Sequence, residues 1–509
     1  MDGRTAADDA TVTGDVCVIG GGPVGLALAA ALAERGRGVV VVESGGEVAD
    51  SDADELNAGE LIGDLGPDLR QLRARAIGGT ATIWNTFLDG APSGRFLPLD
   101  PIDFTARAAR PQAWPFDFGT LEPYYRAAHG VCGLGPFDYT TATHCGAGDP
   151  PPDVRNSGLI ASVYQIAPAS NFVAGLAAKV RMSPRAMLIH GATATELLPS
   201  GDRRAPPGIR WATVNGRRGV VRAGVIVLAA GGIENARRLL LWQDALDAGG
   251  TAPRWLGRGF MQHPFDSSLE LVSTLAPFTD SFGFFSPHRA AAGVGIMGRL
   301  GLSTALIEAE GIGNAGLYIV PLDQPQMLVE SPAKSVARRV VPAQALRRAL
   351  GNVVRGLAAK AWRRRGRPCR VDLYLEQLAH PDNRITLSSR TDRFGQPLPA
   401  VEWRFRPEDE VNRIRTRDVV AREFRRARLG TVRRTGIETV NRENHHHIGA
   451  TRMHADPALG VVDADLRVHG TRNIYVVGSS VIPAAGFANP TLTDIALALR
   501  LADHLAPPG

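Results

Sequence analysis

Residues 15–25 read Asp15-Val-Cys-Val-Ile-Gly20-Gly-Gly22-Pro-Val-Gly25, and this stretch decides the fold. Its apolar opening, 15–19, reads as a buried strand. The Ala/Leu-rich run 26–35 reads as a helix, and 38–43 (Gly-Val-Val-Val-Val-Glu43) as a second buried strand. Gly20, Gly22 and Gly25 stand where the first strand turns into the helix. Glycines there allow a tight turn and let backbone approach a pyrophosphate, which the helix N-terminus attracts. Glu43 ends the second strand, 18 residues after Gly25. A carboxylate at that place suits a ribose diol and repels a 2′-phosphate. The unit predicts dinucleotide binding, and by itself it does not separate FAD from NAD.

Working outward, Arg75-Ala-Ile-Gly78-Gly79-Thr80-Ala-Thr82-Ile-Trp84-Asn85 places two glycines before small hydroxyl residues. Such a backbone can lie flat against a planar ring. Residues 225–230 form another buried strand, followed by Gly231-Gly232 and a helix. Residues 209–222 read as a hairpin turning at Asn215-Gly216. Residues 371–378, 384–388 and 401–405 alternate apolar and polar, which predicts one antiparallel sheet with a solvated face. A helix is expected over 407–429, with Pro407 at its first position and Gly430 as its stop. A last strand falls at 474–477. A last helix over 490–505 takes Asn489 as N-cap and Pro490 at N1.

The expected class is α/β plus α+β: a discontinuous Rossmann-like FAD-binding domain with an inserted substrate domain on an antiparallel sheet. The cofactor domain is assigned 1–100, 191–265 and 446–509. The substrate domain is assigned 101–190 and 266–445.

Composition narrows the function. The 509 residues are 44% hydrophobic and 21% charged, ordinary for a globular protein. The net charge of +6 invites a nucleic-acid reading. Residues 331–370, however, hold twelve basic residues and no acid, so the remainder is mildly acidic and nucleic acid drops out as a partner. That segment also carries apolar residues at helical spacing. It is expected to be a solvated insertion, with contact to a membrane or partner as the other reading. Only Lys179, Lys334 and Lys360 are lysines among 57 basic residues, as expected of a GC-rich bacterial genome. Four cysteines without CxxC spacing form no disulfide framework or metal pattern, and the expected location is a reducing cytoplasm. The uncharged run 16–33 is broken by glycines and a proline and follows an acidic segment, so it is not expected to cross a membrane.

The chemistry concentrates near the C-terminus. His445-His446-His447-Ile-Gly449-Ala450-Thr451-Arg452-Met453 precedes Gly478-Ser479-Ser480 and Asn489-Pro490-Thr491. A histidine is the natural base for a hydroxyl proton near neutral pH. The helix start at 489–490 presents N–H groups that favour negative charge. Adjacent histidines converge poorly on one ion, so no metal is expected.

These motifs together resemble the glucose–methanol–choline (GMC) flavoprotein oxidoreductases, closest to the pyranose-oxidase and sugar-dehydrogenase branch. The resemblance runs over 15–46, 75–85, Trp114-Pro115 with Leu121 to Tyr125, 227–237, Gly257-Arg258 with His263-Pro264, and 488–505. It implies FAD rather than NAD. It implies a catalytic histidine at His446, three places before Gly449, with Asn489 as the second catalytic position. Cofactor contacts are expected at Gly20, Gly22, Gly25, Glu43, Arg75, Gly78, Gly79, Thr80, Thr82, Trp84, Asn85, Ala192, Gly231, Gly478, Ser479, Pro490 and Thr491. Trp84 and Tyr124 are candidate pocket linings. Where related oxidases carry a histidine covalently linked to flavin, this chain has Ile83, implying noncovalent FAD. Ala450 and His454 depart from the branch's usual residues, which puts the hydrogen-bond network there in question.

The implied activity is oxidation of a secondary alcohol of a sugar, glycoside or cyclitol to a ketone. Hydride passes to flavin N5, with dioxygen as acceptor. The alternative is a dehydrogenase passing electrons to a quinone or protein. A lyase on the same fold and a flavin-binding interaction protein are the remaining readings.

Overall fold

In a computed structural model, residues 1–66, 68–146, 148, 150–198, 207–246, 253–273, 283–321, 367–435, 440–441 and 445–507 are described. The basic segment 331–370 therefore lies outside the described residues except for Arg367–Arg370.

A seven-stranded sheet holds the dinucleotide unit. Strand Ala10–Ile19 is central, flanked in parallel by Val39–Val42 and Arg218–Leu228. Ala186–Ile189 extends the sheet beyond Val39–Val42, and Ile474–Val476 pairs with Arg218–Leu228, both in parallel. Val16–Ile19 and Val39–Val42 are buried throughout, as parallel strands covered on both faces require. Helices Pro23–Glu34, Ala169–Met182 and Thr491–Leu505 pack together against this sheet.

A ten-stranded sheet, antiparallel at every pairing, forms the second layer. Eight of its strands run in the order Thr431–Arg434, Phe265–Ser273, Arg367–Leu375, Ala315–Pro321, Gly295–Leu302, Leu159–Pro168, Ala91–Phe96, Thr86–Leu88, while His288–Arg289 pairs with Gly295–Leu302 and Val440–Asn441 with Phe265–Ser273. Helix Pro407–Arg426 buries Val419, Val420 and Phe424 against it, closing a separate apolar core.

Several expectations change. Residues 371–378 do not share a sheet with 384–405. Arg367–Leu375 is interior to the ten-stranded sheet, whereas Arg384–Thr391 and Pro397–Trp403 form a small sheet with Glu60–Gly63. The turn between them is no hairpin. Asn383 accepts the Arg404 N–H at 2.9 Å and donates to the Arg404 carbonyl at 3.1 Å, locking the chain into the new sheet. The hairpin arm and the strand expected at 209–230 fuse into one strand, Arg218–Leu228, which pairs with Ala10–Ile19 along its whole length.

Two domain boundaries also shift. Thr86–Leu88 and Ala91–Phe96 belong to the second sheet, and Ala186–Ile189 to the first, because each finds its ladder partner there. Helix Pro407–Arg426 starts as expected. Asp409 accepts the Arg406 N–H, and Gly430 adopts φ +152° beyond its end.

Candidate active site

A cavity of about 760 Å³ runs between the two sheets, at the upper end of sizes typical for ligand sites. Glycine builds its first wall. Gly20 adopts φ +111°, and a Cβ there would stand 2.5 Å from the Ala229 carbonyl oxygen. A Cβ on Gly25 would meet the Gly20 carbonyl oxygen at 2.0 Å, so only glycine lets the helix start so close to the turn. At Gly22 and Gly231 a Cβ would meet nothing, and both face the cavity.

Glu43 is buried at the end of its strand. It accepts the N–H of Gly21 at 2.6 Å and of Gly45 at 2.7 Å. Burial raises its proton affinity, and those two N–H groups oppose the rise. Ala192, beside it, donates its N–H to the Glu43 carbonyl.

Arg75, Gly79, Thr80, Trp84, Asn85, Gly478, Ser479, Pro490 and Thr491 also line the cavity. Gly25, Gly78 and Thr82 do not. Gly25 seats the helix. Gly78 packs on Val173 and donates its N–H to the Gly21 carbonyl, tying the second motif to the first. Thr82 is exposed and its hydroxyl donates to the Gly79 carbonyl. Tyr124 is also absent from the wall; it hydrogen-bonds Asp503.

Sequence reading singled out Arg75 alone of a buried charge cluster. Glu234 pairs with Arg73 at 2.9 Å, Arg75 at 3.0 Å, Arg237 at 3.3 Å and Arg238 at 3.6 Å. Asp392 is a second carboxylate on Arg237. Burial would raise the Glu234 pKa, but the arginines hold it well below the usual range. Burial pushes Arg73 and Arg238 down to about 10. Four cations face two carboxylates, and Arg73, Arg75 and Arg238 reach the cavity wall. That surplus of positive charge is what a diphosphate would neutralise.

At the other end stands a relay of three side chains. His446 Nδ1 lies 2.9 Å from His263 Nδ1, and His446 Nε2 lies 3.1 Å from Asn489 Nδ2. Asn489 donates, so Nε2 holds a lone pair. A neutral imidazole then carries its proton on Nδ1 and donates it to His263. Burial lowers the His446 pKa well below the ordinary 6.5, reinforced by the positive potentials of His263, Arg95, His445 and His447. Burial also pushes His263 down to about 4 and His447 to about 3.

His445 and His447 also reach the wall but serve other ends. His445 is exposed and bonds the Leu72 carbonyl. His447 stacks on Phe260, and its carbonyl accepts from the Ser479 hydroxyl. Asn489 is not the N-cap expected of it. The last helix spans Thr491–Leu505, Pro490 is the cap, and the Asn489 amide is committed to His446.

The 114–125 segment fastens this region. Trp114 Nε1 donates to the Ala484 carbonyl, and the Tyr125 hydroxyl meets Thr493 at 2.8 Å. Beside Ala450, Thr451 donates to Ser480, which also accepts from Asn235.

His263, Asp494, Arg95 and Tyr374 were missed as site residues. Asp494 is buried on the wall, one carboxylate oxygen has no partner, and burial raises its pKa well above the ordinary value. Arg95 and Tyr374 come from different strands of the ten-stranded sheet. No local sequence signal marks them, since only the strand pairing brings them to the cavity.

Residues 379–498 match the family described as GMC oxidoreductase, and residues 15–246 that described as FAD dependent oxidoreductase. The 6′′′-hydroxyparomomycin C oxidase of Streptomyces lividus is 36% identical over 142 residues, 27% of this chain and 26% of that protein. A C-glycoside 3-oxidase of Microbacterium trichothecenolyticum is 45% identical over 62 residues, 12% of each chain. The match thus spans about a quarter of the first relative's length and less of the second's. The fructose dehydrogenase large subunit of Gluconobacter japonicus is 26% identical over 505 residues, 86% of this chain and 82% of that one. Among solved structures, formate oxidase superposes with a TM-score of 0.58 at 14% identity, covering 98% of this chain and 99% of that one. At that identity the likeness shows a shared fold.

Proposed function

We propose, from the premise that this chain belongs to the GMC family of FAD-dependent oxidoreductases, that it oxidises a secondary alcohol of a sugar, glycoside or cyclitol to the ketone. The observation that carries this reading is the His446 Nε2 lone pair on the cavity wall, 3.1 Å from the Asn489 amide. One neutral base and one donor stand together, as removal of a hydroxyl proton requires.

The cavity fits FAD. Gly22 and Gly231 leave open space where side chains would intrude. The arginines around Glu234 supply the charge a diphosphate needs, and Glu43 stands ready for a ribose. Asp494 Oδ1 and His447 Nε2, buried and unpartnered on the wall, await a polar ligand. When bound, FAD supplies the hydride acceptor. The chain does the rest. His446 takes the hydroxyl proton on Nε2. Asn489 shifts its N–H from Nε2 to the substrate oxygen and fixes the carbinol carbon. His263 holds the other imidazole proton. Main-chain N–H groups at the start of the Thr491–Leu505 helix favour the negative charge that hydride transfer creates. Ile83 offers no nucleophile for a covalent link, so FAD is held noncovalently.

Dioxygen is our acceptor of choice, in keeping with the oxidases among the relatives. A second reading has its own support. The relative aligned over most of this chain is named a dehydrogenase subunit, which favours electron transfer to a quinone or protein. Segment 331–370 is then the candidate contact for a membrane or partner. Anaerobic mixing with a panel of sugars and glycosides tests the core reading: bleaching of the yellow flavin is expected, and no bleaching by any member would overturn it. Peroxide on admitting air supports the oxidase. Dye reduction without peroxide supports the dehydrogenase.

A further inference from the structure

We propose that Arg95 selects a substrate bearing a carboxylate, so that the preferred glycoside is a uronic acid or its glycoside. This rests on the glycoside oxidation proposed above and adds the chemistry of the group bound opposite the base.

Arg95 lies on strand Ala91–Phe96 and lines the same cavity as His446 and Asn489. Its guanidinium carbon stands 5.0 Å from the Tyr318 ring centroid and 5.8 Å from that of Tyr374. Tyr164 stacks on Tyr318, and the Tyr374 ring lies tilted against Tyr318 with 4.7 Å between centroids, so the three rings line the cation's aromatic side. Among the described residues no carboxylate pairs with Arg95; its polar partner is the Tyr374 hydroxyl. The contrast lies in the same cavity: Arg73, Arg75 and Arg238 on its wall all pair with Glu234. Arg299, buried behind these rings, stacks on Tyr164 and Phe487, and two of its nitrogens have no partner. The Arg95 charge also acts on His446 and helps to lower its pKa, which places the cation in the electrostatic neighbourhood of the base.

A guanidinium held out of bulk water without a counter-ion is costly, and stacking on aromatic rings offsets only part of the cost. The planar fork matches a carboxylate in two parallel hydrogen bonds. In a hexuronic acid the carboxylate hangs from C5, while the C2 and C3 hydroxyls sit on ring carbons across from it. One molecule can therefore present a hydroxyl to His446 and its carboxylate to Arg95. The negative charge arising during oxidation already has the helix N-terminus and does not explain a permanent cation here.

The test uses FAD-loaded enzyme with methyl β-D-glucuronide and methyl β-D-glucoside. In wild type, kcat/KM for anaerobic flavin reduction should favour the glucuronide by on the order of 10², the size expected of a desolvated charge pair. Arg95→Met should erase that ratio, chiefly through KM, and Arg95→Lys should keep part of it. Equal use of both sugars by wild type, or an unchanged ratio in Arg95→Met, overturns the proposal and leaves the oxidation reading standing. An equal slowing of both sugars in Arg95→Met also overturns it, because the cation would then act on the reacting oxygen. If no glycoside bleaches the flavin, the oxidation reading fails. Titration of the oxidised enzyme's absorbance with glucuronate and glucose still decides the role of Arg95: tighter glucuronate binding that Arg95→Met abolishes supports it, and equal binding refutes it.

Discussion

Replacing His263 by leucine probes the base without touching it. His263 is fully buried, and burial pushes it down to about 4, so it is neutral at any working pH. Its second ring nitrogen, Nε2, is buried without a hydrogen-bond partner. Asn489 donates to His446 Nε2, so the His446 proton sits on Nδ1 and is donated to His263 Nδ1, 2.9 Å away. This bond holds the His446 tautomer whose Nε2 lone pair faces Asn489 and the cavity. Leucine would leave the Nδ1–H buried and unpaired at a cost of about 1–3 kcal/mol, favouring the wrong tautomer by about fivefold to 150-fold. Anaerobic stopped-flow on FAD-loaded enzyme should show flavin reduction slowed by that factor, with FAD retained and the thermal midpoint recorded beside it. His263→Asn, whose Oδ1 can accept, should recover part of the rate. A leucine variant that reduces flavin within about twofold of wild type, where the tautomer argument demands at least about fivefold, would refute the reasoning.

Three further outcomes follow from the same geometry. Gly25→Ala puts a Cβ 2.0 Å from the Gly20 carbonyl oxygen, so the helix must leave the turn; the variant should purify without FAD while keeping its circular dichroism, and stoichiometric FAD would contradict the expectation. The His446 pKa lies below 6.5, so its base form is already present at neutral pH. Flavin reduction should then be flat down to pH 6.5 and fall only below it. Removing the Arg95 charge should move that limb upward, read from rates across pH 4.5–8. His447 is neutral when folded, at about 3 against 6.5 unfolded, so the unfolded chain takes up the proton first as pH falls and stability is lost below 6.5. At pH 5 that loss is about 2 kcal/mol. Urea melts of wild type and His447→Asn should therefore converge by that amount between pH 7.5 and 5.

What could be read in the sequence was local. The dinucleotide unit is contiguous, and its glycines, buried valines and terminal acid all fall within residues 15–43. Helix Pro407–Arg426 announced its start through Pro407, but it ends at Arg426, short of the expected 429 and of Gly430. His446 and Asn489 carried motif-level signals. The remainder depends on partners far apart in the chain. Alternation over 371–405 was real, yet Arg367–Leu375 pairs with Phe265–Ser273 and Ala315–Pro321, distant segments that periodicity does not encode. Asn489 looked like a helix cap because an Asn-Pro pair ordinarily is one; the imidazole 43 residues away claims its amide instead. Arg95 carried no mark at all: it joins the cavity through register with Ile166, across a ladder between residues 91–96 and 159–168.

The central claim is that His446 removes the substrate's hydroxyl proton. Anaerobic stopped-flow of FAD-loaded His446→Ala, with a glycoside that bleaches the wild type, tests it most directly. Flavin reduction should slow by on the order of 10²–10⁴, as for loss of a general base, while the flavin spectrum and FAD content stay as in wild type. Reduction at the wild-type rate would contradict the assignment.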